Sequence, residues 1–331
     1  MKEVTPGIYW LELPTLMADS DSVHVNAYLV QGDSGYLLVD AGWNTDESYA
    51  ALHKQLAEIG VDIKDISQIV VTHVHPDHYG QAGRLRQLSG ADVALHDIEK
   101  TFIESRYINM KQFAEQTTEW LVINGVQPED LEEFRNATAG MDRYIVPTYP
   151  DISLHGGETI TSGRFSFQVI WTPGHSAGHI CLYEPEKKIL ISGDHILPKI
   201  TPNVGRQPDT RENTLGDYIK SLESIRHLDV QLILPGHEFP FNTFRPRIEE
   251  LIRHHEERNQ EVLAILKDGR QKTACQIARK ISWGVTSDWQ DIPFFHQRLA
   301  ISETLAHLEY MTINGQLEKI TRDGIIYYRK I

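Results

Sequence analysis

The segment Thr72-His73-Val74-His75-Pro76-Asp77-His78-Tyr79-Gly80 follows directly on the apolar run Ile69-Val70-Val71, and it restricts what this chain can become more than any other stretch. A short, continuously apolar run bounded by polar residues is what a buried strand presents. Three histidines and an aspartate therefore crowd a strand-to-loop junction. Imidazole nitrogens and carboxylate oxygens together suit a borderline divalent ion such as zinc. Along an extended chain His73 and His75 point to the same side, so both can reach one ion. Asp77 and His78 lie beyond Pro76, where a turn can direct them to a second ion nearby. The plainer alternative, a histidine-rich surface loop, fits poorly with so dense a pattern behind a buried strand.

This pattern resembles that of the metallo-β-lactamase superfamily, and the rest of the chain agrees in order and context. Thr172-Pro173-Gly174-His175, Ser192-Gly193-Asp194 and Pro235-Gly236-His237 each follow an apolar run, at 165–171, 189–191 and 232–234. The resemblance covers roughly residues 4–245. It implies that His73, His75 and His175 hold a first metal ion, that Asp77, His78 and His237 hold a second, and that Asp194 bridges both. It also gives Asp40, in Val39-Asp40-Ala41-Gly42, the task of orienting a ligand histidine. A carboxylate that accepts the other imidazole N–H fixes the tautomer, which supports that task physically. The implied cofactors are two divalent ions, zinc first, with iron or manganese as alternatives. A hydroxide shared by the ions would be the nucleophile, with Asp77 as the catalytic carboxylate that orients it and moves a proton to the leaving group.

The substrate is less constrained. Thr172–His179 resembles the matching stretch of glyoxalase II and of lactonases, which implies a small ester, thioester or lactone. The C-terminal part, together with Ser192–Leu197, looks like the winged-helix endoribonucleases of the same fold, so single-stranded RNA is the alternative. The mononuclear iron persulfide dioxygenases share several of these positions and form a third reading. Charge favours the first. The formal charge is −14, and all of it falls in residues 1–247, where 34 acidic residues face 20 basic ones. Such a surface opposes polyanions, since nucleic-acid affinity comes largely from neutralising phosphates. His24, Tyr79, His179, His195, Tyr107 and Met110 are candidates to face substrate, with structural roles the plainer reading for the histidines beside the motifs. Tyr107 and Met110 belong to an aromatic-rich helical stretch, 98–124, that either packs against the core or forms an apolar lid. His254 and His255 are expected on a solvated helix face.

The order of elements points to an α/β fold, an αββα sandwich with two packed sheets flanked by helices. Several strands come in a row at the start, and helices alternate with strands afterwards. Residues 1–245 form the catalytic domain with a helical insertion at about 96–150, and residues 246–331 form a winged-helix-like domain of helix, helix and terminal hairpin. At 40 % apolar and 24 % charged residues the chain can bury a sizeable core. No apolar run approaches the ~18 residues of a membrane span, and no signal peptide is visible. Cys181 and Cys275 stand far apart, so a disulfide framework is excluded and a reducing cytoplasm fits best. The expected partners are a small-molecule substrate and a second copy of the chain, with no membrane and nucleic acid disfavoured.

Overall fold

The computed structural model describes residues 1–16, 24–137, 140–284 and 288–331. Strands β1 (Lys2–Thr5), β2 (Ile8–Pro14), β3 (His24–Gln31) and β4 (Tyr36–Val39) form an antiparallel run. Helix α1 (Asp46–Ala57) leads to β5 (Ile66–Val70), α2 (Pro76–Tyr79), α3 (Ala82–Ser89) and β6 (Asp92–His96). The inserted helices are α4 (Asp97–Phe102), α5 (Met110–Ile123) and α6 (Leu131–Asn136), with a π-helical turn at Ile103–Ile108 between the first two. Then come β7 (Ile152–Leu154), β8 (Thr159–Ser162), β9 (Phe165–Trp171), β10 (Ile180–Glu184), β11 (Ile189–Gly193), α7 (Thr214–Ile225) and β12 (Leu232–Pro235). The chain ends with α8 (Phe244–Ile265), α9 (Ala274–Ala278), α10 (Phe294–Ile313), β13 (Leu317–Arg322) and β14 (Ile325–Lys330).

Strands β1 to β7 make one sheet in sequence order, and β12-β11-β10-β9-β8 make the second. Side-chain alternation along a strand explains how the sheets stack. In β3, Val25, Ala27 and Leu29 face the core beneath α1 and α3, whereas Tyr28 and Val30 face the other sheet. There they meet Phe165, Phe167, Val169, Leu182 and Ile191. The far side of the second sheet is covered by Leu215, Tyr218 and Leu222 of α7 and by Phe244, Ile248 and Leu251 of α8. The result is the expected αββα sandwich.

Local signals place the helices. Thr45 caps α1, its side chain accepting from Ser48 N at 3.0 Å, and Gly60, at φ 72°, follows its end. The stretch read as one helix over 98–124 is broken: α4 passes into the π-helical turn before α5 begins. Its aromatic stripe is divided as well. Phe102 and Ile103 pack under the first sheet, while Trp120 joins Val262, Ile301 and Leu305 of the C-terminal helices. Helix α8 links two apolar clusters, with its start in the cluster on the second sheet and Val262 in that of the C-terminal helices. His255 is not on the solvated face expected for it: that ring is fully buried against α10, while His254 beside it is half-buried. Among the described residues no helix is long and apolar enough to cross a membrane.

Candidate metal centre

Four loops at one edge of the sandwich carry the motif residues. Strands β9 and β11 both pair antiparallel with β10, and β12 runs parallel to β11. The loops leaving β9, β11 and β12 therefore emerge on the same side, and they meet the loop leaving β5. Two main-chain bonds join the sheets at this edge: Ile180 N donates to Thr72 O at 3.0 Å, and Asn26 N donates to Gly236 O at 2.7 Å. The motif glycines are required by crowding. A Cβ on Gly236 would lie 2.2 Å from Asp194 Oδ1, and one on Gly193 would lie 2.6 Å from His179 Nε2.

All seven motif side chains converge. His73 Nε2, His75 Nδ1 and His175 Nε2 stand 2.9–3.2 Å from one another. Asp194 Oδ2 lies 3.5 Å from His175 Nε2 and 3.4 Å from His237 Nε2, and its Oδ1 lies 3.4 Å from His78 Nε2. Asp77 Oδ2 is 3.2 Å from His237 Nε2 and 3.7 Å from His78 Nε2. Three groups able to hold an ion result: His73 with His75 and His175; His73 with His78 and Asp194; Asp77 with His78 and His237.

On four of the rings the opposite edge is spoken for, and this sets their tautomers. His78 Nδ1 faces Asp40 Oδ2 at 2.8 Å. His73 Nδ1 faces Thr72 Oγ1 at 3.0 Å, and that hydroxyl donates in turn to Asp40 Oδ2 at 2.9 Å. His175 Nδ1 donates to Asn203 O at 2.8 Å, and His237 Nδ1 to His24 O at 3.0 Å. With the protons of these four rings on Nδ1, their Nε2 lone pairs are left for the centre of the cluster, while His75 turns its Nδ1 inward. Asp40 itself sits at φ 61°, a left-handed conformation at the end of β4. Its second oxygen accepts from Thr72 N at 2.7 Å, so one carboxylate fixes both the loop and two ligand rings.

The electrostatics suit a cation. Burial holds His73 and His75 well below the ordinary histidine pKa, and neighbouring imidazoles push the same way. Burial also disfavours charge on His78, yet Asp194, Asp77 and Asp40 outweigh it and raise its pKa to about 10. His237 is raised well above its usual value against the same burial, by Asp194 and Asp77. Burial would raise Asp194, but His237 and His78 hold it well below the carboxylate range. Protons on His78 and His237 thus balance the aspartates, and those are protons a divalent ion displaces. His78 Nε2 and Asp194 Oδ1 are buried with no hydrogen-bond partner, which fits ligand atoms better than ordinary buried polar groups.

Other candidates are placed differently. His179 is fully buried behind Asp194; its Nε2 accepts from Asp194 N at 3.1 Å and its Nδ1 faces Thr172 Oγ1. His195 is also fully buried, packed on Tyr218. Tyr79 is fully buried and its hydroxyl bonds Thr148 O at 2.6 Å. None of these three offers an edge to a substrate, because each ring is enclosed by the scaffold. Tyr107 is half-buried, stacked on Tyr79, with its hydroxyl on Val74 O. His24 and Met110 are half-exposed, and His24 serves the cluster through its carbonyl. The sequence reading missed Thr72 and Asn203. Thr72, beside the first histidine, was open to suspicion; a carbonyl acting from a distant loop was not.

The Metallo-beta-lactamase superfamily profile matches residues 21–237, and the chain belongs to that family. It is a metal-dependent hydrolase, and the superfamily works with divalent metal ions. A probable metallo-hydrolase of Bacillus subtilis, YqjP, is 27% identical over 336 residues, covering 98% of each chain. The human acyl-coenzyme A thioesterase MBLAC2 is 28% identical, covering 73% of this chain and 81% of its own. Among solved structures, a metallo-beta-lactamase family protein from Thermus thermophilus is 32% identical with a TM-score of 0.83, covering 99% of this chain and 100% of its own.

Proposed function

We propose that this chain is a binuclear zinc hydrolase that cleaves a small acyl thioester or related ester. The observation that carries the reading is the placing of Asp194. Its two oxygens turn towards different histidines, Oδ1 to His78 and Oδ2 to His175 and His237. That suits a carboxylate shared between a site of His73, His75 and His175 and a site of Asp77, His78 and His237. Two bound divalent ions would lower the pKa of a shared water from 15.7 towards ~7 and polarise the substrate carbonyl. The chain's own residues do the rest. Asp77, 3.2 Å from His237 and the most exposed of the site's carboxylates, takes the proton released as water adds to the carbonyl carbon. It returns that proton to sulfur as the C–S bond breaks, giving a carboxylic acid and a free thiol. Asp40, Asn203 and the His24 carbonyl hold the rings so that the geometry costs no rearrangement during the reaction.

Similarity to proteins named acyl-coenzyme A thioesterases supports the thioester, and the acidic surplus of residues 1–247 opposes a long nucleic-acid polyanion. The test is a parallel assay of zinc-loaded protein on a short acyl thioester, a lactone, an activated phosphodiester and single-stranded RNA. Thioester or ester turnover well above the other two classes is expected. Cleavage confined to phosphodiester or RNA would overturn the reading.

A further inference from the structure

Val74 is the residue between His73 and His75, and the helical insertion grips its peptide groups at both ends. Val74 N donates to Glu99 Oε2 at 2.8 Å, and Tyr107 Oη donates to Val74 O at 2.7 Å. Glu99 belongs to α4 and Tyr107 to the π-helical turn that follows it. The same carboxylate reaches the loop that carries His175. Glu99 Oε1 accepts from Gly178 N at 2.6 Å and from the Ser176 hydroxyl. Glu99 is fully buried, and all of its partners are donors. Gly178 is shaped for this approach, since a Cβ there would lie 2.7 Å from Glu99 Cγ.

We infer that Glu99 is a positioning residue for the first metal site: it ties the His73–His75 loop to the His175 loop and makes metal binding depend on the insertion. The inference rests on the two-metal reading above, which puts these three histidines on one ion. The physical case is that the three rings come from two loops after strands of different sheets, β5 and β9. One main-chain bond, Ile180 N to Thr72 O, ties the bases of the two loops, but a ligand set needs the rings themselves held to a few tenths of an ångström. A buried carboxylate accepting from both loops adds a tie directly beside those rings. Its loss would leave Val74 N and Gly178 N buried and unpaired, each at a cost that drives the loops apart.

The test compares zinc affinity of the folded protein, by competition with a chelator, in the wild type and in Glu99→Gln. The amide offers one acceptor in place of two and turns an N–H towards a donor. Wild type should hold two zinc ions. Glu99→Gln should bind one of them about 10- to 100-fold more weakly, the usual effect of removing an outer partner of a metal ligand, with the other unchanged. Tyr107→Phe should give a smaller loss at the same site. A scaffold role alone would lower the melting temperature of metal-free protein and leave zinc affinity as it was, and that result overturns the inference. If Glu99→Gln does not fold, Ser176→Ala and Tyr107→Phe each remove one hydroxyl from the clamp, and unchanged zinc affinity in both would overturn it equally. A wild type that holds fewer than two ions would instead defeat the two-metal reading, and the inference with it.

Discussion

Two clusters of buried histidines in this chain differ in what stands beside the rings. At the edge of the sandwich the imidazoles meet Asp40, Asp77 and Asp194, and ligand atoms from four loops converge. Between α8 and α10, His255 and His307 are as deeply buried. There His255 Nδ1 faces His307 Nε2 at 3.3 Å, and His307 Nδ1 donates to Asn259 Oδ1 at 2.7 Å. Burial lowers His255 to about 3, with His254 and Arg258 pushing the same way. Among the described residues no carboxylate pairs with either ring. His255 Nε2 is unpaired too, but no set of ligand atoms closes around it. Histidine density therefore does not make a metal centre. Carboxylates that would balance a cation, and lone pairs aimed at one point, do.

The sharpest way to break this contrast is to remove the shared carboxylate. Asp194→Asn keeps the shape and removes the charge that offsets repulsion between two cations. Hydrolysis should fall by about a thousandfold or more, the scale on which metal-generated nucleophiles act, and bound zinc should fall below two equivalents by elemental analysis. Near-full turnover would show that the convergence of rings suffices without the bridge.

A smaller loss should follow from Asp40→Asn. The amide would present an N–H to His78 Nδ1 and favour the tautomer whose proton sits on Nε2, turning the ligand nitrogen into a donor. Zinc affinity should drop about 10- to 100-fold while circular dichroism stays native. Unchanged affinity would mean that Asp40 only braces Thr72.

What could be read in the sequence follows from the same contrast. The candidate metal cluster lies on short loops directly after apolar strands, so local order along the chain reports spatial position: β5, β9, β11 and β12 each deliver candidate ligands within a few residues of their ends. Asp40 was legible for that reason. The sandwich itself was legible because several strands come in a row before helices alternate with strands; the division of β3 into Val25, Ala27 and Leu29 on one face and Tyr28 and Val30 on the other came only with the packing. His255 was misplaced because α8 carries charge on several sides, and only the docking of α10 decides which side is covered. The helical insertion was legible as helix, but its π-helical turn and the destination of each aromatic depend on contacts with distant chain. Asn203 acts through its carbonyl, which no residue type announces.

The second cluster gives the converse test. His307→Leu removes the donor to Asn259 Oδ1 and leaves a buried acceptor unpaired, which costs about 1–3 kcal/mol. Denaturant unfolding should register that loss, while zinc content and turnover per folded molecule stay at wild-type levels. A fall in bound zinc would show that the two clusters are one functional unit.

The smallest effect is expected along a line of hydrogen bonds that leads from the second cluster to the first. Glu303 lies one turn before His307 on α10, and its Oε2 accepts from Asn203 Nδ2 at 2.9 Å; the carbonyl of Asn203 in turn holds His175. Burial raises the Glu303 carboxyl from 4.5 to about 7, although Arg258 and the Asn203 bond pull the other way. In the unfolded chain the group loses its proton near its ordinary value, so between about pH 4.5 and 7 the folded state binds more protons than the unfolded one. Stability must therefore fall as pH rises through that window and level off above it. Discounted for the water that reaches this half-buried side chain, the loss should be about 1 kcal/mol. Glu303→Gln keeps an acceptor for Asn203 but cannot ionise, so it should flatten this part of the pH profile and leave the protein slightly more stable at pH 8 than wild type. Urea unfolding of both proteins from pH 4.5 to 8 measures the difference. Parallel profiles would mean that Glu303 ionises in the folded protein as it does in water, and that α10 reaches His175 through Asn203 without storing any of that cost.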